Sequence, residues 1–88
     1  MSVAQRMKDL ALSETGFVFD PVTGLTFSVN PTGRCILEQL RQGKDADAVV
    51  EALREAFDIT DRNDLVRDLS EFIRSLKDQG ILPRDAEV

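Results

Sequence analysis

Apolar and polar residues alternate along one short stretch in the first half of the chain. Leu25, Phe27 and Val29 are apolar, and the residues between them, Thr26 and Ser28, are polar. Because successive side chains of a β-strand point to opposite faces, this period of two predicts a strand whose apolar side chains point inward.

Two further strands are predicted upstream of this one. Residues 17–19 are Phe-Val-Phe, a combination of aromatic and β-branched side chains that suits a half-buried pleated surface. The sequence Asp-Pro-Val-Thr-Gly at residues 20–24 has turn chemistry and predicts a hairpin between these two strands. Residues 9–12 form a candidate first strand, and residues 1–7 are expected to be a frayed terminus.

The first predicted helix follows the alternating strand directly. Asn30 can cap free amides, and Pro31 at the first helical position gives up only an amide that lacks a helical partner. The helix is expected to run from about Pro31 to Arg41, with Gly43 ending it in the left-handed conformation. Its apolar face consists of Ile36, Leu37 and Leu40.

Two more amphipathic helices are predicted from apolar residues spaced three and four apart. The second helix begins near Asp45, whose carboxylate can cap it, and the third is capped by Thr60 or Asp61 and continues to Gln79. Their apolar faces consist of Ala46, Val49, Val50, Leu53 and Phe57, and of Leu65, Leu69, Phe72 and Leu76.

The order of these elements predicts one small α+β domain over residues 1–83. A two- or three-stranded antiparallel sheet comes first, and a three-helix bundle packs against it. Ile81 and Leu82 are expected to fold back onto the core, Pro83 prevents the third helix from continuing, and residues 84–88 are predicted to be a disordered tail. A chain of 88 residues is too short for a second domain.

The predicted strand at residues 25–29 contains no charged residue. Natural proteins usually protect an exposed sheet edge with charge, proline or a bulge. Either another strand covers this edge, or it is available for an extended peptide to add as one more strand.

A second row on the third helix points to the same kind of ligand. Val66, Ser70, Ile73 and Lys77 follow one another at spacings of four, three and four, so they share one flank. Two apolar residues, a small hydroxyl and a cation would form one wall of a groove for an extended peptide with apolar and acidic side chains. The alternative is that Val66 and Ile73 only widen the apolar core face.

Composition restricts the chemistry. The chain carries a net charge of -5 and has no histidine, which argues against binding to a phosphate backbone and excludes Ser/His and Cys/His nucleophiles and the common zinc sites. Its single cysteine, Cys35, lies in the apolar row of a helix and is expected to be an inert buried thiol. We therefore predict no catalytic residue, no metal and no cofactor. The chain shows no membrane span or signal peptide, so a cytoplasmic location is expected.

Several short motifs, in this order and spacing, resemble the PqqD-like family of peptide chaperones, whose members act in the modification of ribosomal peptides. The resemblance covers roughly Phe17 to Leu82. It rests on Val29-Asn30 before the first helix, on Ile36-Leu37 and Gly43, and on residues 68–76 followed by Gly80-Ile81-Leu82, which resemble the family pattern D-V-x-x-F-L-x-x-L-x-x-x-G-L-L.

The resemblance implies a winged-helix-like precursor-peptide recognition element that binds and does not catalyse. In the family, the leader of a precursor peptide lies as an added strand against the third strand, with its side chains contacting the third helix. The corresponding residues here are Leu25, Thr26, Phe27, Ser28 and Val29 on the strand, and Val66, Ser70, Ile73 and Lys77 on the helix. The implied partner is a peptide-modifying enzyme such as a radical S-adenosylmethionine or ATP-grasp protein.

Other classes of protein share parts of this pattern. A winged-helix DNA-binding protein has similar architecture, but Asp64, Asp68, Glu71 and Asp78 alternate with the basic residues of the third helix. A general protein-interaction domain remains open. A carrier protein needs a serine at the head of its second helix, where this chain has Asp45-Ala46-Asp47. An enzyme is also disfavoured, because the scattered carboxylates of this chain suit helix caps and surface charges better than an acid/base pair.

Overall fold

The computed structural model describes residues 3–58 and 61–86, and it confirms the predicted α+β class. A short helix precedes a three-stranded antiparallel sheet, and three longer helices follow. The elements are α1 (Val3–Lys8), β1 (Ala11–Leu12), β2 (Phe17–Phe19), β3 (Thr26–Ser28), α2 (Pro31–Arg41), α3 (Ala46–Phe57) and α4 (Arg62–Asp78).

The N-terminal segment is the main correction to the predicted fold. We expected residues 1–7 to be frayed, but residues 3–8 form α1, which packs against α2; residues 1 and 2 lie outside the described part. Met7 is fully buried, Leu10 just after the helix is nearly so, and Val3, four residues before Met7 on the same face of the helix, packs against the same core. A six-residue helix is too short to be stable by itself, so its contacts with the rest of the fold hold it in place. The predicted first strand is reduced to Ala11–Leu12.

The predicted helix caps are confirmed. Asn30, Asp45 and Asp61 each accept a hydrogen bond from a main-chain amide two or three residues further along, at 2.8 to 2.9 Å. Thr60, the other candidate cap for α4, lies outside the described residues. Gly80 follows α4 with a φ of 77°, in the left-handed conformation that ends a helix at little cost for glycine.

One apolar core joins the sheet to the helices. Among the strand residues, Val18 is fully buried in this core. Ile81 and Leu82 fold back as expected and belong to the same cluster. Beyond them, Arg84 pairs with Asp78 at 3.4 Å and Ala86 packs against the cluster. Residues 87 and 88 of the predicted tail lie outside the described residues. The core residues of the three longer helices are Ile36, Leu37, Leu40, Val49, Val50, Leu53, Leu65, Leu69 and Leu76.

A buried ion pair connects α1 to the hairpin turn between β2 and β3. The two terminal guanidinium nitrogens of Arg6, Nη1 and Nη2, donate to the two carboxylate oxygens of Asp20 at 3.1 and 2.5 Å. Asp20 is fully buried. The same carboxylate accepts hydrogen bonds from the Val22 amide and the Thr23 hydroxyl. Asp20 therefore caps the predicted hairpin turn and also binds a distant arginine, and we did not predict this second partner.

The sheet order β1-β2-β3 places β3 at one edge. Its antiparallel register with β2 pairs Phe17 with Ser28, Val18 with Phe27 and Phe19 with Thr26. The opposite edge strand, β1, has only two residues, so β3 is the longer of the two open edges.

Hydrogen bonds at the two ends of the β2–β3 ladder show which main-chain groups face outward. The Asp20 amide donates to the Leu25 carbonyl, and the Val29 amide donates to the Gly16 carbonyl, both at 2.8 Å. Because inward and outward main-chain groups alternate along an antiparallel strand, Leu25, Phe27 and Val29 bond to β2. The main-chain groups of the alternate residues, Thr26 and Ser28, therefore point away from the sheet at its open edge.

The buried ion pair predicts a specific response to acid. Hydrogen bonds from Arg6 and then from Thr23 and Val22 lower the pKa of Asp20 from 3.8 to about 2, against the opposing effect of burial. Because the folded pKa is below the unfolded one, the pair stabilises the fold above about pH 4, and this stabilisation is lost as the pH falls from 4 to 2. Asp20→Asn should lower the free energy of unfolding at pH 7 by about 3 kcal/mol and flatten its pH dependence below pH 4, measured by urea denaturation.

Asp9→Asn is the matched control for this measurement. Asp9 is exposed and its carboxylate lies 3.9 Å from the same guanidinium, so its loss should cost no more than about 1 kcal/mol. Equal losses for the two variants would contradict a dominant role for the buried pair.

The orientation of the β3 main chain predicts an alternating pattern of hydrogen exchange. In the free protein, the amides of Phe27 and Val29 should exchange slowly because they donate to β2, and those of Thr26 and Ser28 should exchange rapidly because they face solvent. Residue-resolved exchange measured by NMR tests this directly. Protection of Thr26 and Ser28 in the monomeric protein would show that the β3 edge is covered.

Candidate functional site

The strand predicted to bind a peptide has the expected inner and outer faces, with one exception. Thr26 and Ser28 are exposed, while Phe27 and Val29 are half-buried and pack against the core. Leu25 was expected to point inward, but 40% of its surface is exposed. It lies just before the first residue of β3, at the end of the hairpin turn, where the core covers its side chain only partly.

The edge of β3 is chemically suited to accept another extended chain. It is uncharged along residues 25–29, and the outward main-chain groups of Thr26 and Ser28 offer amide donors and carbonyl acceptors at strand spacing. A strand added here would gain main-chain hydrogen bonds whatever its side chains are. The edge by itself therefore supplies affinity but not selectivity.

Two phenylalanines on the outer face of the sheet were missed as site candidates. Phe17 is 60% exposed and Phe19 is 44% exposed, whereas Val18 between them is fully buried. All three residues of β2 are apolar, so the sequence could not show which side would face the core. The register pairs Phe17 with Ser28 and Phe19 with Thr26, so both rings share a face with the small polar side chains of β3.

Part of the predicted row on α4 lines one groove. Ser70, Ile73 and Lys77 line a groove of about 510 Å³ together with Ala46 at the start of α3 and residues that include Arg84 and Ala86 after α4. Ile73 is half-buried and packs against the core, which is also what the alternative interpretation of this row expects. Val66 is 42% exposed and does not line this groove, and neither does any residue of β3.

The end of β3 approaches α4 at a different residue, Phe72. A side chain at Gly33 would lie 3.1 Å from the Phe72 ring and 3.1 Å from the β-carbon of Val29, so Gly33 permits close approach between them. Phe72 lies about 100° around the helix from Ile73 and so faces another direction. We predicted Phe72 as a core residue only, and its amphipathic spacing gave no signal of this position beside the strand.

A larger cavity, of about 1080 Å³, lies away from the β3 edge. Its lining comes from α1 and the residue after it, the hairpin turn, the end of α4 and the segment after α4, and includes Arg6, Asp9, Lys77, Asp78 and Asp85. Charges of both signs alternate around it, so its electrostatic character favours neither an anion nor a cation.

Burial disfavours the thiolate of Cys35, and ion pairs engage two arginines of α4. Cys35 is half-buried, and burial raises the pKa of its thiol, which disfavours the reactive thiolate. On α4, Arg62 pairs with Asp47 at 2.7 Å and Arg67 with Asp64 at 3.2 Å. Such paired cations are poorly placed to neutralise nucleic-acid phosphates.

No helix in residues 3–58 and 61–86 has the length and apolar character needed to cross a membrane.

Two solved structures resemble this fold over most of their length. One is TbiB1 in complex with the TbiA(beta) leader peptide, which is 26% identical, with 89% of this chain and 91% of that chain covered and a TM-score of 0.75. The other is lasso peptide synthetase B1 complexed with the leader peptide, also 26% identical, with 81% and 84% covered and a TM-score of 0.68. A comparison with curated proteins finds no match.

The family assignment comes from the sequence itself. Residues 15–82 match the model of the family described as coenzyme PQQ synthesis protein D (PqqD). This match confirms the resemblance derived from the motifs between Phe17 and Leu82, and it covers well over half of the chain. The chain therefore belongs to the PqqD family.

Proposed function

We propose that this chain is a non-catalytic peptide-binding adaptor. It binds the leader of a ribosomally made precursor peptide as a fourth strand on β3 and presents the rest of that peptide to a modifying enzyme. The observation that carries the proposal is the open, uncharged β3 edge with the outward main-chain groups of Thr26 and Ser28. The two similar structures, both complexes with leader peptides, support it.

Main-chain pairing alone gives too little affinity for a specific adaptor. A hydrogen bond contributes about 0.5–1.5 kcal/mol net, so the four outward groups of Thr26 and Ser28 supply about 2–6 kcal/mol. A micromolar complex needs about 8 kcal/mol after the entropy cost of association has been met. Side-chain contacts must therefore supply the remainder, and they also determine which peptide is bound.

The inward-facing side chains of the added strand are proposed to contact the sheet and α4. A peptide residue opposite Phe27 points toward the helices, where Phe27, Val29 and Phe72 are half-buried and apolar. The approach of Val29 and Phe72 at Gly33 favours the Phe72 side of α4 as the second wall. Participation of Val66, Ser70, Ile73 and Lys77 stays a prediction.

The partner enzyme is proposed by class only. A radical S-adenosylmethionine or ATP-grasp protein that modifies the bound peptide fits an adaptor without catalytic groups of its own. A cytoplasmic location, where precursor peptides are made, fits the same role and also stays a prediction.

Ser28→Pro tests strand addition without removing a side chain from the core. Proline lacks the outward amide of Ser28 but leaves the bonds of Phe27 and Val29 to β2, and it is tolerated on edge strands. We expect about tenfold weaker binding of a leader peptide, equivalent to one lost hydrogen bond of about 1.4 kcal/mol. The probes are fluorescently labelled leaders of small open reading frames beside this gene, and the measurement is fluorescence anisotropy.

Ser28→Ala is the control, because it removes the hydroxyl and keeps the amide. Its affinity should stay within about twofold of the native value, since an exposed hydroxyl contributes little. Binding of Ser28→Pro at native strength, with the β2–β3 amide resonances unchanged, would contradict strand addition at this edge.

A pair of serine substitutions on α4 tests which side of the helix contacts the peptide. Ser70 and Ser75 are both exposed and lie about 140° apart around the helix, with Ser75 nearer the Phe72 side. We expect Ser75→Arg to weaken leader binding by about tenfold, a loss of about 1.4 kcal/mol, because a bulky side chain obstructs that wall. Ser70→Arg should leave the affinity nearly unchanged in the same titration.

The reverse outcome has an equally definite meaning. If Ser70→Arg weakens binding and Ser75→Arg does not, the peptide uses the predicted row of Val66, Ser70, Ile73 and Lys77. Both variants change exposed positions, so circular dichroism should show native stability for each.

A further inference from the structure

We infer that Phe17 and Phe19 form a second recognition surface, which selects peptides with large apolar or aromatic side chains at two alternate positions of the added strand. This inference rests on the proposed function and adds a sequence requirement to it. The surface lies on the outer face of the sheet, on the side opposite the helices.

The first observation is the exposure of the two rings. Phe17 is 60% exposed and Phe19 is 44% exposed, and they stand two residues apart on one face of β2. Exposed aromatic side chains beside an uncharged sheet edge favour aggregation, and natural sheets usually avoid them. Threonine or another polar β-former would maintain the strand at these positions, so the strand itself does not require phenylalanine.

The second observation is the register, which places a small residue between each ring and the open edge. Ser28 lies directly beside Phe17, and Thr26 lies directly beside Phe19, with all four side chains on the outer face. This arrangement would form two shallow channels, each bounded on one side by a ring and crossing β3 over a small side chain. Each channel opens toward the position of an added strand.

An added strand would direct alternate side chains into these channels. Peptide residues opposite Thr26 and Ser28 point to the outer face, and the residue between them points to the helices. This alternation holds for either direction of the peptide. Outer-face recognition therefore uses residues that the inner groove does not contact.

The distance determines which side chains can use the channels. The added strand and β2 are separated by two strand spacings, about 9–10 Å. Only a long or aromatic side chain can lean across Ser28 or Thr26 and contact a phenylalanine ring, as aromatic side chains do between diagonal neighbours in sheets. Alanine, serine or a short acidic side chain would leave the ring exposed.

Charge favours a peptide over a second copy of this chain as the occupant. Two copies joined along their β3 edges would each bring a net charge of -5 to the contact, and like charges oppose association. A neutral or basic peptide meets no such repulsion.

The test is a double-mutant cycle between the protein and its peptide. The protein variant is Phe17→Thr/Phe19→Thr, which replaces the two rings with β-branched side chains that favour a strand. The peptide is the tightest-binding of the labelled leaders used to test Ser28→Pro. In the peptide, each large apolar residue is changed to alanine one at a time. Val22→Thr is the control, because Val22 is 69% exposed in the hairpin turn, away from the β3 channels.

We expect the double variant to bind the native leader about tenfold more weakly and Val22→Thr to bind it normally. Alanine at one or both of two peptide positions spaced two apart should weaken binding to the native protein by a similar factor. The same alanine should cause no further loss in the double variant, because the interaction is already absent. The chain contains no tryptophan or tyrosine, so a tryptophan placed at such a position reports its own burial by a blue shift in fluorescence.

Three results would overturn the inference and leave the proposed function standing. Native affinity of the folded double variant for the leader would exclude a peptide contact with the rings. If the double variant keeps this affinity but the bound peptide is no longer modified, the face would be assigned to the partner enzyme. A native dimer that the double variant converts to a monomer in analytical ultracentrifugation would assign the face to a second copy. Failure of the native chain to bind any leader would instead overturn the proposed function, and the inference with it. The single variants Phe17→Thr and Phe19→Thr replace the double variant if it does not fold.

Discussion

The contact between Arg6 and Asp20 is the constraint on which the geometry of the sheet edge depends. Asp20 is fully buried, and its carboxylate binds a guanidinium from α1 as well as an amide and a hydroxyl of its own turn. These bonds hold the hairpin turn in one conformation and attach it to α1. Because the turn fixes the register of a hairpin, the pair also determines which residues of β3 direct their main chain outward. A one-residue slip would exchange the inner and outer faces of the strand.

Local signals predicted the elements whose causes are local. Asn30, Asp45 and Asp61 cap the three longer helices as expected, since each cap needs only a side chain and an amide nearby in sequence. The helix α1 was missed because it is only six residues long and is held by distant contacts. The partnership of Arg6 with Asp20 was missed for the same reason. The two residues are 14 apart in sequence, and a charged residue is usually exposed.

The sequence predicted which strand edge forms the candidate site, but not which side chains surround that edge. The alternation at residues 25–29 identified the strand and its outward residues, whereas Leu25 is more exposed than its expected inward orientation suggested, because it lies at the end of the turn. Phe-Val-Phe has no polar residue to mark the solvent side, so the exposure of Phe17 and Phe19 depends on which face the helices cover. On α4, Ser70, Ile73 and Lys77 of the predicted row line one groove and Val66 does not, and only packing at Gly33 shows that Phe72 lies beside the end of the strand.

An added strand on β3 would be recognised on three sides at once. Its main chain meets the outward groups of Thr26 and Ser28, one set of alternate side chains meets the helices, and the other set meets the outer face of the sheet. The main-chain contacts are the same for every peptide, so they contribute affinity without choice. Selectivity then depends on a pattern that alternates along the peptide, because the two faces of the sheet contact different peptide side chains. A domain of 88 residues that binds a peptide in this way would distinguish short sequences without a deep pocket, because the bound strand itself separates the two sets of side chains.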